Sequence, residues 1–110
     1  MEKASENMEI LPEELQTLLN SPEKVIVLDV RETWELEKAS FNLCLNIPLN
    51  HLPNRLHEIP EDCFVVTICH HGMRSMRAAC YLKSQGKNVR SLKGGIDYYA
   101  RCIDPRIPVY

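Results

Sequence analysis

The 110-residue sequence has no apolar run near the ~18 residues that a membrane-spanning helix requires. Its opening stretch, MEKASENMEI, is polar and lacks the apolar core of a signal peptide. No internal repeat, low-complexity tract or linker breaks the chain, and its length suits one domain. Neither sign of charge dominates. A formal net charge of -2 gives no basic footprint for nucleic acid or for an anionic membrane surface. There is no Cys-x-x-Cys pair, and the five cysteines (Cys44, Cys63, Cys69, Cys80 and Cys102) are odd in number. Both facts argue against a secreted disulfide framework and for free thiols in a reducing compartment. The expectation is a cytoplasmic domain with no nucleic-acid or membrane partner, in which one thiol does chemistry.

What is present is an alternation of strand-like and helix-like segments. Residues 1–9 are expected to form a flexible N-terminal segment and residues 10–110 the folded domain. Pro12 suits the first position of a helix, and Leu15, Leu18 and Leu19 give its apolar stripe over about 12–20. KVIVLDV (24–30) and CFVVTIC (63–69) are continuous β-branched runs, the pattern of strands buried on both faces. The charged RETWELEK (31–38) predicts a short helix with Trp34 turned to the core. CLNIPL (44–49) predicts a short extended piece, and Leu52, Leu56 and Ile59 predict a helix over about 50–58 despite Pro53. Ser75, Ala78, Ala79 and Leu82 share one small-residue face of a helix over 75–85, with Gly86 as its stop. NVRSLK (88–93) predicts a further strand, GGIDYYARC (94–102) a helix after a glycine turn, and IDPRIPVY an extended surface tail. Cys44, Cys63 and Cys80 lie in apolar surroundings and are expected in the core, with Cys102 nearer the surface. The alternation predicts an α/β fold with a mainly parallel sheet of about five strands and helices on both faces. Ligands of such sheets bind beyond the carboxyl ends of the strands, where Cys69 falls.

The chain leaves that strand and enters a helix through His70, His71, Gly72, Met73 and Arg74. A turn this tight aims main-chain N–H groups inward, the helix start adds partial positive charge, and Arg74 adds a full one. An anion is favoured at the centre, so the arrangement suits a thiolate at Cys69. Gly72 permits a backbone conformation that a side chain resists. The bland alternative for Cys69 is a small buried hydrophobe at a strand end. A cradled thiolate serves either phosphoryl or sulfur chemistry. Thiol phosphatases use Cys-x5-Arg, whereas four residues separate Cys69 from Arg74 here. The shorter ring suits one added sulfur atom better than a tetrahedral oxyanion.

These motifs together resemble a single-domain rhodanese. LDVRETWE (28–35) is similar to the family's first signature, NIPL (46–49) to the segment after it, and CHHGMRS (69–75) to its active-site loop. LKGGIDYYARCIDPRIPVY (92–110) resembles the closing signature of a bacterial subgroup. The likeness covers roughly residues 10 to 110. Two positions depart: Ser40 stands where a histidine is usual, and Tyr99 where a tryptophan is usual.

The resemblance implies a rhodanese-like three-layer α/β/α sandwich and a sulfurtransferase. Cys69 would take a sulfane sulfur from a small anionic donor such as thiosulfate, become a persulfide, and pass the sulfur to a thiophilic acceptor by double displacement. Cyanide serves in vitro, and a thiol or a protein in the cell; a persulfide-donating or sulfur-accepting protein is the expected macromolecular partner. The amides of His70, His71, Gly72, Met73 and Arg74 would hold the persulfide, with Arg74 bracing the loop and Arg77 drawing in the donor. Asp29 and Arg31 are supporting residues, a strand-end carboxylate and an arginine tying neighbouring loops. His70 and His71 present their rings at the mouth or tune Cys69. No metal and no organic cofactor is implied. The competing readings are a non-catalytic docking module of the same fold and a thiol phosphatase or arsenate reductase.

Overall fold

The computed structural model describes residues 8–41 and 44–110. It contains β1 (Glu9–Ile10), α1 (Pro12–Leu19), β2 (Val25–Asp29), β3 (Leu45–Asn46), β4 (Phe64–Ile68), α2 (Met73–Ser84), β5 (Val89–Leu92) and α3 (Gly95–Cys102), with 3-10 turns at Thr33–Glu37, Leu49–Asn54 and Leu56–Glu58. The strands form one five-stranded sheet in the order β1-β5-β4-β2-β3, and every pairing is parallel. The two β-branched runs are the central strands β2 and β4, as their apolar character on both faces requires.

Side chains alternate between the two faces of each strand, which splits the core in two. Val65 and Leu28 pack on one face with Ala78, Ala79 and Leu82 of α2 and with Leu52 and Ile59 of the 3-10 segment. Val66, Ile68 and Val27 pack on the other with Leu15 of α1 and Ile96, Tyr99 and Ala100 of α3. The result is the three-layer α/β/α sandwich that the strand–helix alternation predicts. Tyr99 is buried and packs against the Phe41 ring at 4.8 Å between centroids, so it fills the space expected of a larger aromatic. Among the described residues, no helix is long and apolar enough to cross a membrane.

Register sets the position of the site. Asp29 lies beside Ile68, and the Val30 N–H donates to the Ile68 carbonyl at 3.0 Å. The loops that follow β2 and β4 therefore emerge side by side at one edge of the sheet. β5 pairs with β4 on its other side, so the glycine turn before α3 reaches the same edge.

Several expectations are corrected. Residues 1–7 of the expected flexible segment lie outside the described residues, but Met8 is buried and Glu9 belongs to β1. The helix expected over 50–58 is two 3-10 turns, because Pro53 has no N–H to give an α-helical ladder. RETWELEK forms a 3-10 turn over Thr33–Glu37 that buries Glu35 and leaves Trp34 exposed, opposite to the expected placing of Trp34. Cys80 is exposed because α2 presents Ser75, Ala78, Ala79 and Leu82 inward and Cys80 lies off that face; Cys44 and Cys63 are half-buried. Cys102 is exposed as expected.

Candidate active site

Cys69 is the first residue after β4, and its sulfur faces the start of α2. The Gly72 N–H donates to Cys69 Sγ at 3.0 Å and the Ser75 N–H at 3.3 Å. The thiol in turn donates to Ser75 Oγ at 3.4 Å. Gly72 makes this possible. Its φ is 111°, left-handed space that a side chain strongly disfavours, and there the chain reverses so that the amides of residues 72 and 75 point at one atom. The ring is thus narrower than expected: Gly72 and Ser75 supply the main-chain donors, and the latter lies one residue beyond the predicted set of 70–74.

Ser75 carries a second contribution. Its hydroxyl lies 2.7 Å from Ser91 Oγ on β5 and 3.2 Å from the Gly72 carbonyl, while its own carbonyl accepts from Thr67 Oγ1 at 2.8 Å. Ser75, Ser91 and Thr67 are all fully buried. A hydroxyl that accepts from the thiol can rotate and donate to the thiolate, so Ser75 serves both states of the sulfur. In the sequence Ser75 reads as a small packing residue. Its position directly after Arg74, at a helix start, is the signal that marks it as more.

Arg74 does not point into the ring. Its two terminal nitrogens form a forked pair with Glu35, at 2.7 and 3.0 Å. Glu35 is buried and fully satisfied: Oε1 also accepts from the Glu32 N–H at 3.0 Å, and Oε2 from the Tyr110 hydroxyl at 3.0 Å. Arg74 holds the Glu35 carboxyl down to about 2, against the cost of burial and with help from the Glu32 amide and Tyr110. Glu35 in turn raises the Arg74 guanidinium. The bracing role expected of Arg74 therefore has a partner that the charged run RETWELEK concealed.

Asp29 and Arg31 form the next layer. Both are fully buried and pair in forked geometry, with Arg31 Nη2 to Asp29 Oδ2 at 2.6 Å and Nε to Oδ1 at 2.9 Å. Arg31 also donates to the Ala39 carbonyl at 2.6 Å and to the Tyr110 hydroxyl at 2.7 Å. Burial pulls its guanidinium down, but the bonds to Asp29 and Tyr110 outweigh it and the net direction is up. The tie to Ala39 anchors the turn in which Ser40, which is exposed, replaces the usual histidine. Arg31 thus ties loops together as expected, and neither it nor Asp29 reaches the sulfur.

The C-terminal tail runs along the surface, as expected, and its last residue reaches this edge. Tyr110 bridges Arg31 and Glu35 through its hydroxyl, and its ring stacks on His70 at 3.9 Å with planes 2° apart. His70 is half-buried between Tyr110 and His71, whose ring stacks at 4.0 Å on its other side. His71 and Met73 are exposed at the loop tip. Arg77 is also exposed, with no ion pair among the described residues, and the structure does not join it to the loop.

The first amides of α3 complete the site from behind. The Ile96 N–H donates to the Cys69 carbonyl at 2.8 Å and the Asp97 N–H to the His70 carbonyl at 3.1 Å. The Cys69 and His70 carbonyls are thereby held away from the ring, which leaves it lined by donors. The contact is so close that a Cβ on Gly95, already at a φ of 68°, would collide with both carbonyl groups. Cys69 itself is 1% exposed. Two surface clefts, one lined by residues 60–64 and 86–88 and the other by residues 36–41 and 103–108, lie away from it. The sulfur therefore sits enclosed in its ring, and neither of these clefts opens onto it.

Comparison with known proteins agrees with this geometry. The Rhodanese-like domain family matches residues 11–102. A sulfurtransferase of Allochromatium vinosum is 38% identical over 94 residues, which is 84% of this chain and 88% of that protein. A putative sulfur carrier protein YrkF of Bacillus subtilis is 40% identical over 85 residues, 77% of this chain, but this chain spans less than half of it, 46%. Among solved structures, a rhodanese-related protein from Thermoplasma volcanium superposes with a TM-score of 0.79 at 31% identity, covering 84% of this chain and 90% of that one. The chain belongs to the rhodanese-like domain family.

Proposed function

We propose that the protein is a sulfurtransferase in which Cys69 accepts a sulfane sulfur from a small donor such as thiosulfate and carries it as a persulfide. The observation that carries this reading is the ring of donors converging on Cys69 Sγ from Gly72 and Ser75 at the start of α2. Those donors favour an anionic sulfur, and the carbonyls that would oppose it are held by α3. In the first step the Cys69 thiolate attacks the outer sulfur of thiosulfate. A new S–S bond forms, the old one breaks, and sulfite leaves with the electron pair. In the second step a nucleophile attacks the outer sulfur of the persulfide; with cyanide, thiocyanate leaves and the thiolate is regenerated. Neither step needs an external oxidant or reductant.

The position of Arg74 separates this reading from phosphoryl transfer. Both terminal nitrogens of its guanidinium are paired with Glu35, so that end of the group is not offered to a phosphate dianion in the loop. The named relatives, a sulfurtransferase and a putative sulfur carrier, support sulfur transfer, and we infer that a persulfide-donating or sulfur-accepting protein is the partner in a reducing cytoplasm. The test is thiocyanate formation from thiosulfate and cyanide. Turnover by the wild type and its loss in Cys69→Ser are expected. Equal turnover in both, or phosphatase activity that depends on Cys69 in place of it, would reject the assignment.

A further inference from the structure

Among the described residues, one set of three side chains outside the sulfur ring brings metal-ligating atoms together: His70, His71 and Asp97. One nitrogen of each imidazole and a carboxylate oxygen of Asp97 all lie within 4.8 Å of one another. We propose that these three residues bind a divalent first-row transition ion of borderline softness, of the Ni²⁺, Co²⁺ or Zn²⁺ type, on the outer side of the active-site loop.

Three features argue for it. The first is the donor set. Two imidazoles and one carboxylate suit such ions and leave the remaining coordination positions to water. The second is that two of the three ligands are already held. His70 Nε2 lies 2.9 Å from the main-chain oxygen of Tyr110, an atom that only accepts, so Nε2 carries the proton and neutral His70 keeps its lone pair on Nδ1. A ring N–H donated to a main-chain oxygen is the outer-shell arrangement that metal-bound histidines show. The Asp97 carboxylate accepts from Arg101 Nε at 3.1 Å, and the Asp97 N–H is bonded to the His70 carbonyl, so loop and helix are fixed to each other. The third is that the remaining ligand is already close and solvent-facing. His71 Nε2 is 3.8 Å from Asp97 Oδ2 and its side chain is 66% exposed; closing the site requires the His71 ring to turn out of its stack on His70. The ion is no part of the sulfur-transfer steps.

The test is calorimetric titration of the full chain with Ni²⁺, using wild type, Cys69→Ser, His71→Ala and Asp97→Asn. The two surface substitutions leave every cysteine in place, so any binding by the exposed thiols of Cys80 and Cys102 is common to all four proteins. Saturable binding of one ion is expected in the wild type and in Cys69→Ser, weakened by roughly tenfold or more in both His71→Ala and Asp97→Asn. Absence of saturable binding in the wild type, loss in Cys69→Ser, or equal affinity in the two surface variants and the wild type would overturn the assignment.

Discussion

At the scale of single residues, two side chains carry more of the site than their place in the sequence announces. Ser75 donates its amide to the sulfur and offers a hydroxyl whose proton can follow the sulfur's charge. Ser75→Ala keeps the amide and removes the hydroxyl. A hydrogen bond to a charged group is worth roughly 1.5–3 kcal/mol, so sulfur loading of Cys69 should slow by about 10- to 100-fold in single-turnover measurements. A rate equal to wild type would show that the hydroxyl only packs. Glu35 is the second. Its carboxyl titrates at about 2 when folded, below the ordinary value of 4.5, so its pairing contributes fully above about pH 4.5 and is lost as pH falls through 2. Arg74 is 35% exposed, which screens the pair and leaves about 2 kcal/mol. Glu35→Gln should therefore lose about 2 kcal/mol in urea unfolding at pH 7, and the gap to wild type should close towards pH 2. A constant gap would contradict the pairing. The strand–loop–helix spacing singles out Cys69, Gly72 and Arg74, and the structure sets the Gly72 amide against the sulfur but turns Arg74 to Glu35, away from the ring centre expected for its charge. Glu35 is hidden in a charged run in which any of four acidic or basic neighbours looks alike. What distinguishes it is a contact with Arg74, 39 residues away.

At the scale of elements, the site is a meeting of three segments at the carboxyl edge of the sheet. The start of α2 supplies donors, the start of α3 removes acceptors, and the 3-10 turn after β2 supplies Glu35. Gly95 is the pivot of the second of these. Its Cβ would overlap the carbonyls of Cys69 and His70, main-chain atoms that cannot swing aside, and its φ of 68° adds strain. Gly95→Ala should cost at least ~2 kcal/mol in denaturant unfolding and should slow sulfur loading as the loop is pushed out of shape. A variant as stable as wild type would refute the close-contact account. Elements with one strong period were legible from sequence: β2, β4 and α2 stand where the β-branched runs and the small-residue face put them. The 49–58 segment was not, because Leu52, Leu56 and Ile59 keep a helical spacing that 3-10 turns broken at Pro53 also satisfy. The exposure of Trp34 follows from the same limit. A short turn of three residues per repeat aims Glu35 inward for its ion pair, and the neighbouring Trp34 is carried outward.

At the scale of the whole molecule, the five thiols divide by exposure. Cys80 and Cys102 are exposed, and Cys69 is enclosed in its ring. A bulky polymer-tagged maleimide should therefore label Cys80 and Cys102 before Cys69, as read by peptide mapping; prior labelling of Cys69 would contradict the enclosed ring. The tail joins this picture, since Tyr110 fastens the chain end to Arg31, Glu35 and His70, a long-range tie that two prolines and an extended pattern give no hint of. The layered α/β/α architecture needs only the alternation of strands and helices, and so it was readable from the outset. The account as a whole rests on an anionic sulfur held by main-chain donors at Cys69, and intact-mass measurement after incubation with thiosulfate tests it most directly. The account predicts a gain of one sulfur atom per chain, mapped to Cys69, removed by cyanide and absent in Cys69→Ser. No gain on the wild-type protein, or the same gain on Cys69→Ser, would contradict it.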